Sequence, residues 1–184
     1  MKKNHFIALL ACTILSCNTP AKEDAKVNND STPVTAEAAK PAITLPYTAT
    51  YSSDWTIGNQ DNVKIVLDLY KAFEENKIDD AYNQYLADTV TAQNYDAKHL
   101  VLSKQAVIKE AKEFRNTFKS VSEEFVAFVP LHSNDKNEDW VGTWMKERVV
   151  RNNGTKDSTY YMETWHFKDG KVTYRIGFAQ YRGF

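Results

Sequence analysis

Cysteine is almost missing from this 184-residue chain, and its two copies, Cys12 and Cys17, both fall near the N-terminus. Beyond Cys17 there is no thiolate for zinc, no cysteine nucleophile and no disulfide, even in a compartment that permits one. Histidine is scarce too: the four copies include no pair at ligand spacing and no His-Glu-x-x-His, so no metal and no cofactor is expected. The six glycines form no phosphate-cradling loop, and no serine sits in a nucleophile elbow. Neither sign of charge is in excess, with 23 Lys and Arg against 24 Asp and Glu, and no basic block argues for nucleic acid. The apolar run from Phe6 to Leu15 is too short to span a bilayer as a helix.

That short run nevertheless carries an address. Lys2 and Lys3 give a basic start, Phe6 to Leu15 an uncharged core, and Ile14-Leu15-Ser16-Cys17 a small residue followed by cysteine. The order resembles a bacterial lipoprotein signal, whose terminal cysteine is lipidated and becomes the first residue. On this reading residues 1–17 are the signal, Cys17 is the lipidation site, and the protein is anchored in the cell envelope. The outer membrane is expected, on its periplasmic face or at the cell surface. Two lysines and no acid leave with residues 1–17, so 21 basic residues then face 24 acidic ones, a net charge of −3. Residues 18–46 nearly lack large apolar side chains and read as a flexible tether, with a coil reach on the order of 30 Å. Lys22-Glu23-Asp24 resembles an acidic export tag, and is equally an ordinary solvated charge run.

Residues 47–184 suit one domain with a single core. Val63, Val66, Leu67, Tyr70 and Phe73 follow the spacing of one helical face, with Asn59 or Asp61 available as cap. A second helix is expected from Asp79 or Asp80, burying Tyr82, Tyr85 and Leu86. Ser103 is placed to cap a third, with the stripe Val107, Ala111, Phe114 and Phe118. His99 falls in a loop. Strands are expected over 121–131, 140–151, 158–168 and 171–182, with Phe125, Ala127, Val129 and Leu131 sharing a parity. Asp169-Gly170 is a strong two-residue hairpin turn, and Asn153-Gly154 a weaker one that also matches a glycosylation sequon. Helices first and antiparallel strands last predict an α+β domain.

The Asp169-Gly170 turn sets a register. Lys168 then pairs with Lys171, and one face collects Tyr161, Glu163, Trp165 and Phe167 with Val172, Tyr174, Ile176 and Phe178, completed by Thr159 and Gln180. His166 falls on the opposite, polar face. The first face is the more apolar, so it should meet the helices, and Glu163 is its only ionisable group. A two-residue turn at Asn153-Gly154 puts Trp144 opposite Glu163, and a four-residue turn puts Lys146 there; an odd loop length flips the whole strand. An acid among such side chains is costly to ionise and is a candidate general base, or a polar anchor for a ligand. Equally, Glu163 satisfies a tyrosine, an indole N–H or Lys146 and fixes the core.

Two stretches carry a wider resemblance. "LDLYKAFEENKIDDAYNQYLADTV" is similar to the opening of nuclear transport factor 2-like (SnoaL-like) domains, and "WHFKDGKV" to their penultimate turn. Together they make the chain look like a lipid-anchored member of that superfamily of Bacteroidota type. The resemblance implies a strongly curved antiparallel sheet wrapped on helices into a cone, often in a homodimer. Enzymes of the superfamily use a pocket acid or a His–Asp pair, many with an aspartate late in the last strand; here that position is Gln180, which cannot exchange a proton. The first expectation is therefore a non-catalytic cone binding a small apolar or amphipathic ligand. Trp144, Tyr161, Trp165 and Phe178 would supply apolar contact, with Glu163 and Gln180 orienting the ligand. The alternative is an isomerase-, cyclase- or hydratase-like enzyme with Glu163 as general base. A cone filled by its own side chains is the third reading.

Overall fold

A computed structural model describes residues 45–93 and 98–181. The expected signal, Cys17 and the expected tether as far as residue 44 lie outside the described residues. Residues from 45 onward form one compact unit. It contains β1 (Trp55–Ile57), α1 (Gln60–Glu74), α2 (Ile78–Tyr85), β2 (Leu86–Gln93), β3 (His99–Ser103), α3 (Lys104–Arg115), β4 (Phe118–Ser133), β5 (Glu138–Arg151), β6 (Lys156–Lys168) and β7 (Lys171–Tyr181). The three helices pack on one face of a single sheet, in strand order β1-β4-β5-β6-β7-β2-β3.

The helix starts follow their caps. Asn59 accepts from the Asp61 backbone N–H at 2.9 Å, and Ser103 from that of Ala106 at 3.3 Å. On α1 the deepest side chains are Val63, Val66 and Leu69, which join Leu86, Val90, Val141, Trp165, Phe167 and Val172 in the core. Leu67 and Tyr70 flank that stripe, half-buried. α1 stops where Asn76 enters the left-handed region, φ 57°, and Lys77 N–H returns to Ala72 O at 2.7 Å. α2 begins at Ile78, which is buried, one or two residues before the expected start at Asp79 or Asp80.

Several expectations need correction. Leu86 opens β2 and Phe118 opens β4, so neither belongs to a helix. The segment that holds His99 is a strand, β3, paired antiparallel to β2. The sheet is mixed, because β2 runs parallel to β7. The Thr-Val-Thr-Ala-Gln run of β2 favours extended backbone and sends Val90 into the core, a signal too short to separate from a loop.

Two irregularities decide which side chains face inward. The β5–β6 connection closes through Arg151 N–H to Thr155 O at 2.8 Å and Gly154 N–H to Arg151 O at 2.8 Å, with Gly154 at φ 88°. This is a three-residue loop, a turn followed by a left-handed glycine, instead of the two-residue turn. Its odd length shifts β5 by one residue: Thr143 faces Glu163, and Trp144 faces Met162. The β6–β7 turn itself forms as expected, with Asp169 at φ 50° and Gly170 at φ 69°. A bulge then intervenes, so Phe167 pairs with Val172 but His166 with Tyr174, Trp165 with Arg175 and Glu163 with Gly177. Beyond it, β7 is turned over relative to the regular register. Further bulges in β4 bend this sheet of long strands around the helices.

Candidate functional site

A cavity of about 590 Å3 opens between the concave sheet face and the helices, reaching from Tyr70 and Tyr82 to α3. Tyr161, Glu163 and Trp165, which β6 turns inward, line it. Trp144, Phe178 and Gln180 do not. The odd loop puts Trp144 on the outer face, and the β7 bulge puts Phe178 and Gln180 there as well. Lys146 shares that face, its ammonium 5.1 Å from the Tyr160 ring centre. Glu163 therefore meets neither Trp144 nor Lys146 as a cross-strand neighbour.

What Glu163 meets instead comes from the turned-over half of β7 and from α1. Arg175 donates to Glu163 Oε1 at 2.7 Å, and the Tyr70 hydroxyl donates to Oε2. The same hydroxyl lies 3.2 Å from Thr143 Oγ1. Glu163 is only 3 % exposed, and the guanidinium and the phenol between them satisfy both of its oxygens. The Arg175 guanidinium lies over the Trp165 ring at 5.4 Å, and the Tyr70 ring meets Trp165 edge-on at 5.5 Å. Burial first, and then the charge of Glu163, push the Tyr70 hydroxyl well above the ordinary phenol range, so it remains a donor.

A second acidic group lies further along the same wall. Glu123 on β4 and Glu147 on β5 are cross-strand partners, and both line the cavity. Glu147 is 8 % exposed and accepts from the Tyr161 hydroxyl at 3.3 Å. Burial, followed by the charge of Glu147, pushes the Glu123 carboxyl up to about 9. Burial raises Glu147 too. At neutral pH the pair holds a proton that is shared between two carboxyls and titrates as one unit. Tyr82, also in the wall, is pushed up to about 12 by burial. Phe73 and Phe114 stack at 6.1 Å, with Phe114 half exposed.

Sequence reasoning passed over Arg175, Thr143, Glu123 and Glu147. The two glutamates had a usable signal. Val121-x-Glu123-x-Phe125 and Met145-x-Glu147-x-Val149 alternate with apolar residues at strand period, so each acid shares an inward face. Arg175 had none, because a regular register with Lys168 opposite Lys171 sends it outward. Among the described residues no group of three His, Cys, Asp or Glu is arranged to hold a metal ion.

No protein-family profile matches the sequence. No curated protein matches it either. Solved structures do match in shape. A nuclear transport factor 2-like protein of unknown function from Exiguobacterium sp. is 15% identical, with TM-score 0.53 over 65% of this chain and 98% of that one. An LEH-like epoxide hydrolase from M. tuberculosis is 10% identical, with TM-score 0.53 over 66% of this chain and 84% of that one. A protein provisionally called a polyketide cyclase, from Xanthomonas campestris, is 17% identical, with TM-score 0.52 over 65% and 90%. At such identities the likeness concerns the backbone, and three helices on a curved mixed sheet are what these chains share. The folded part of this chain has the nuclear transport factor 2-like fold.

Proposed function

We propose that this protein is a lipid-anchored envelope protein whose cone binds a small amphipathic ligand without transforming it. One observation carries the reading: an aromatic-lined cavity of about 590 Å3 has its deepest carboxylate, Glu163, already held by Arg175 and Tyr70. A carboxylate whose two oxygens are already held by a guanidinium and a phenol is a fixed polar group suited to orienting a ligand. Tyr161 and Trp165 supply apolar contact. Anchoring rests on the lipobox at Cys17, and the tether lets the domain work near the membrane.

The neutral dye Nile red tests the pocket. Glu163→Gln keeps the fold, since the amide oxygen still accepts from Arg175 while the amide N–H donates to the Tyr70 hydroxyl oxygen, and weakens dye binding by about fivefold, on the order of 1 kcal/mol. Unchanged binding by a folded variant removes Glu163 from the site.

The enzymatic alternative keeps one supporting observation, and it moves the chemistry away from Glu163. The Glu123–Glu147 pair holds a proton that it can give or take, as a general acid or base requires. Turnover abolished by Glu147→Gln but retained by Glu163→Gln would establish that reading.

For the homodimer, the outer sheet face is the surface we assign. Ala127, Trp144, Met162 and Phe178 lie in one cross-strand row, and the last three are 39 %, 42 % and 58 % exposed. Along β5, Glu138 and the Val150–Lys156 pair are equally far from Trp144 on opposite sides. A two-fold axis along the row therefore sets Glu138 of one copy toward Lys156 of the other while the apolar rows meet.

A further inference from the structure

Four carboxyls, those of Glu110, Glu123, Glu147 and Glu163, line the cavity against a single cationic side chain, Arg175, among the described residues. Arg175 is engaged with Glu163 at 2.7 Å, and among the described residues no second Lys or Arg lines the wall beside the Glu123–Glu147 pair. At that end Glu123 Oε2 is buried and meets no hydrogen-bond donor. A buried acceptor of this kind is costly unless something supplies a donor, and within the pair only the shared proton does so. On the Trp165 side the opposite need appears. Trp165 is 7 % exposed, and its Nε1–H, also buried, has no acceptor. The aromatic rings of Tyr82, Tyr161 and Trp165 in the wall suit both an apolar body and a positive charge.

We infer that the cone selects an amphipathic amine that also carries an oxygen, its ammonium seated on the Glu123–Glu147 pair and its oxygen accepting from Trp165 Nε1–H. The inference rests on the binding role assigned to the cone above and names the ligand's class. An ammonium supplies the donors that the pair lacks and displaces the proton held between the two carboxyls. The proton leaves to solvent, both carboxylates then face the cation, and no covalent bond changes. Glu163 and Glu74 add negative charge felt at Glu123, while Tyr161 donates to Glu147 and Arg175 offsets part of the field.

The test uses the full chain and three probes of one shape, each below its micellar concentration. Because Glu147 lies six residues along β5 from Val141, the partner of Trp165, the probes carry their polar groups at opposite ends: 8-methoxyoctylamine has an ammonium at one end and an ether oxygen at the other, 1,8-dimethoxyoctane replaces the nitrogen by oxygen, and 8-methoxyoctanoate carries a carboxylate. Calorimetry at neutral pH is expected to show the amine binding about tenfold more tightly than the ether, and the carboxylate weakest. Titrations in buffers of different ionisation enthalpy should show up to one proton released with the amine and none with the ether. The double variant Glu123→Gln/Glu147→Gln should lose both the preference for the amine over the ether and the proton release. If the ether or the carboxylate binds the unmodified protein as well as the amine, or if amine binding releases no proton, the inference fails and the binding cone stands. If none of the three binds, the inference and the binding cone both fail. The proton measurement needs no variant, so a misfolded double variant does not spare the inference.

Discussion

Glu163 shows how far one side chain's role depends on partners from elsewhere in the chain. Its inward position follows from strand alternation, but its chemistry is set by Tyr70 from α1 and Arg175 from β7. Tyr70→Phe removes the donor on Oε2 and leaves Thr143 without that contact. The expected loss is about 1–3 kcal/mol of stability in a denaturant titration, with the fold retained. Glu123 makes a prediction of opposite sign. Its carboxyl is raised from 4.5 to about 9, so the folded protein holds a proton that the unfolded chain gives up near pH 4.5. The stabilisation is complete below the unfolded value and is lost as pH rises toward 9. Thermal melts should therefore fall from pH 5 to pH 9. Glu123→Gln, which mimics the protonated form, should flatten that slope and be the more stable protein at pH 8, by on the order of 1 kcal/mol.

At the scale of elements, the helices and the four long strands were legible from apolar spacing, the Asn59 and Ser103 caps and the Asp169-Gly170 turn. Half of the site was not, and the reason is parity. One extra loop residue at Asn153-Gly154 turned Trp144 outward, and one bulge near Thr173 exchanged Phe178 and Gln180 for Arg175. Strand period is strict, so an irregularity of a single residue reverses every assignment beyond it. Composition barely marks such a bulge, which is set by how the sheet must curve on α1. Gly154 can be tested directly: nothing lies near its missing side chain, so Gly154→Ala meets only the left-handed backbone cost, about 1 kcal/mol. Arg115 joins three elements. It is 7 % exposed and donates to the carbonyls of Phe73, Glu74 and Phe118 at 2.8, 3.0 and 2.9 Å, closing the end of α1 onto β4. Arg115→Met strands those carbonyls, and a loss of about 2–4 kcal/mol is expected in urea.

At the scale of the whole molecule, the proposed lipid anchor and the proposed outer-face dimer can each be tested apart from the cone. Cys17→Ser should move the protein out of the membrane fraction; retention there would remove the lipid anchor from the account. Phe178→Glu, which places charge in the exposed row, should shift sedimentation from dimer to monomer while the far-ultraviolet spectrum stays unchanged. The central claim, that the cavity beside Glu163 is a ligand site and not a packing gap, is tested most directly by native mass spectrometry of the full chain extracted from its own membrane. The account predicts a non-covalent mass that rides with the folded protein and is lost when Ala111→Trp fills the cavity wall. An adduct-free spectrum of the unmodified protein, or an adduct that survives Ala111→Trp, would contradict it.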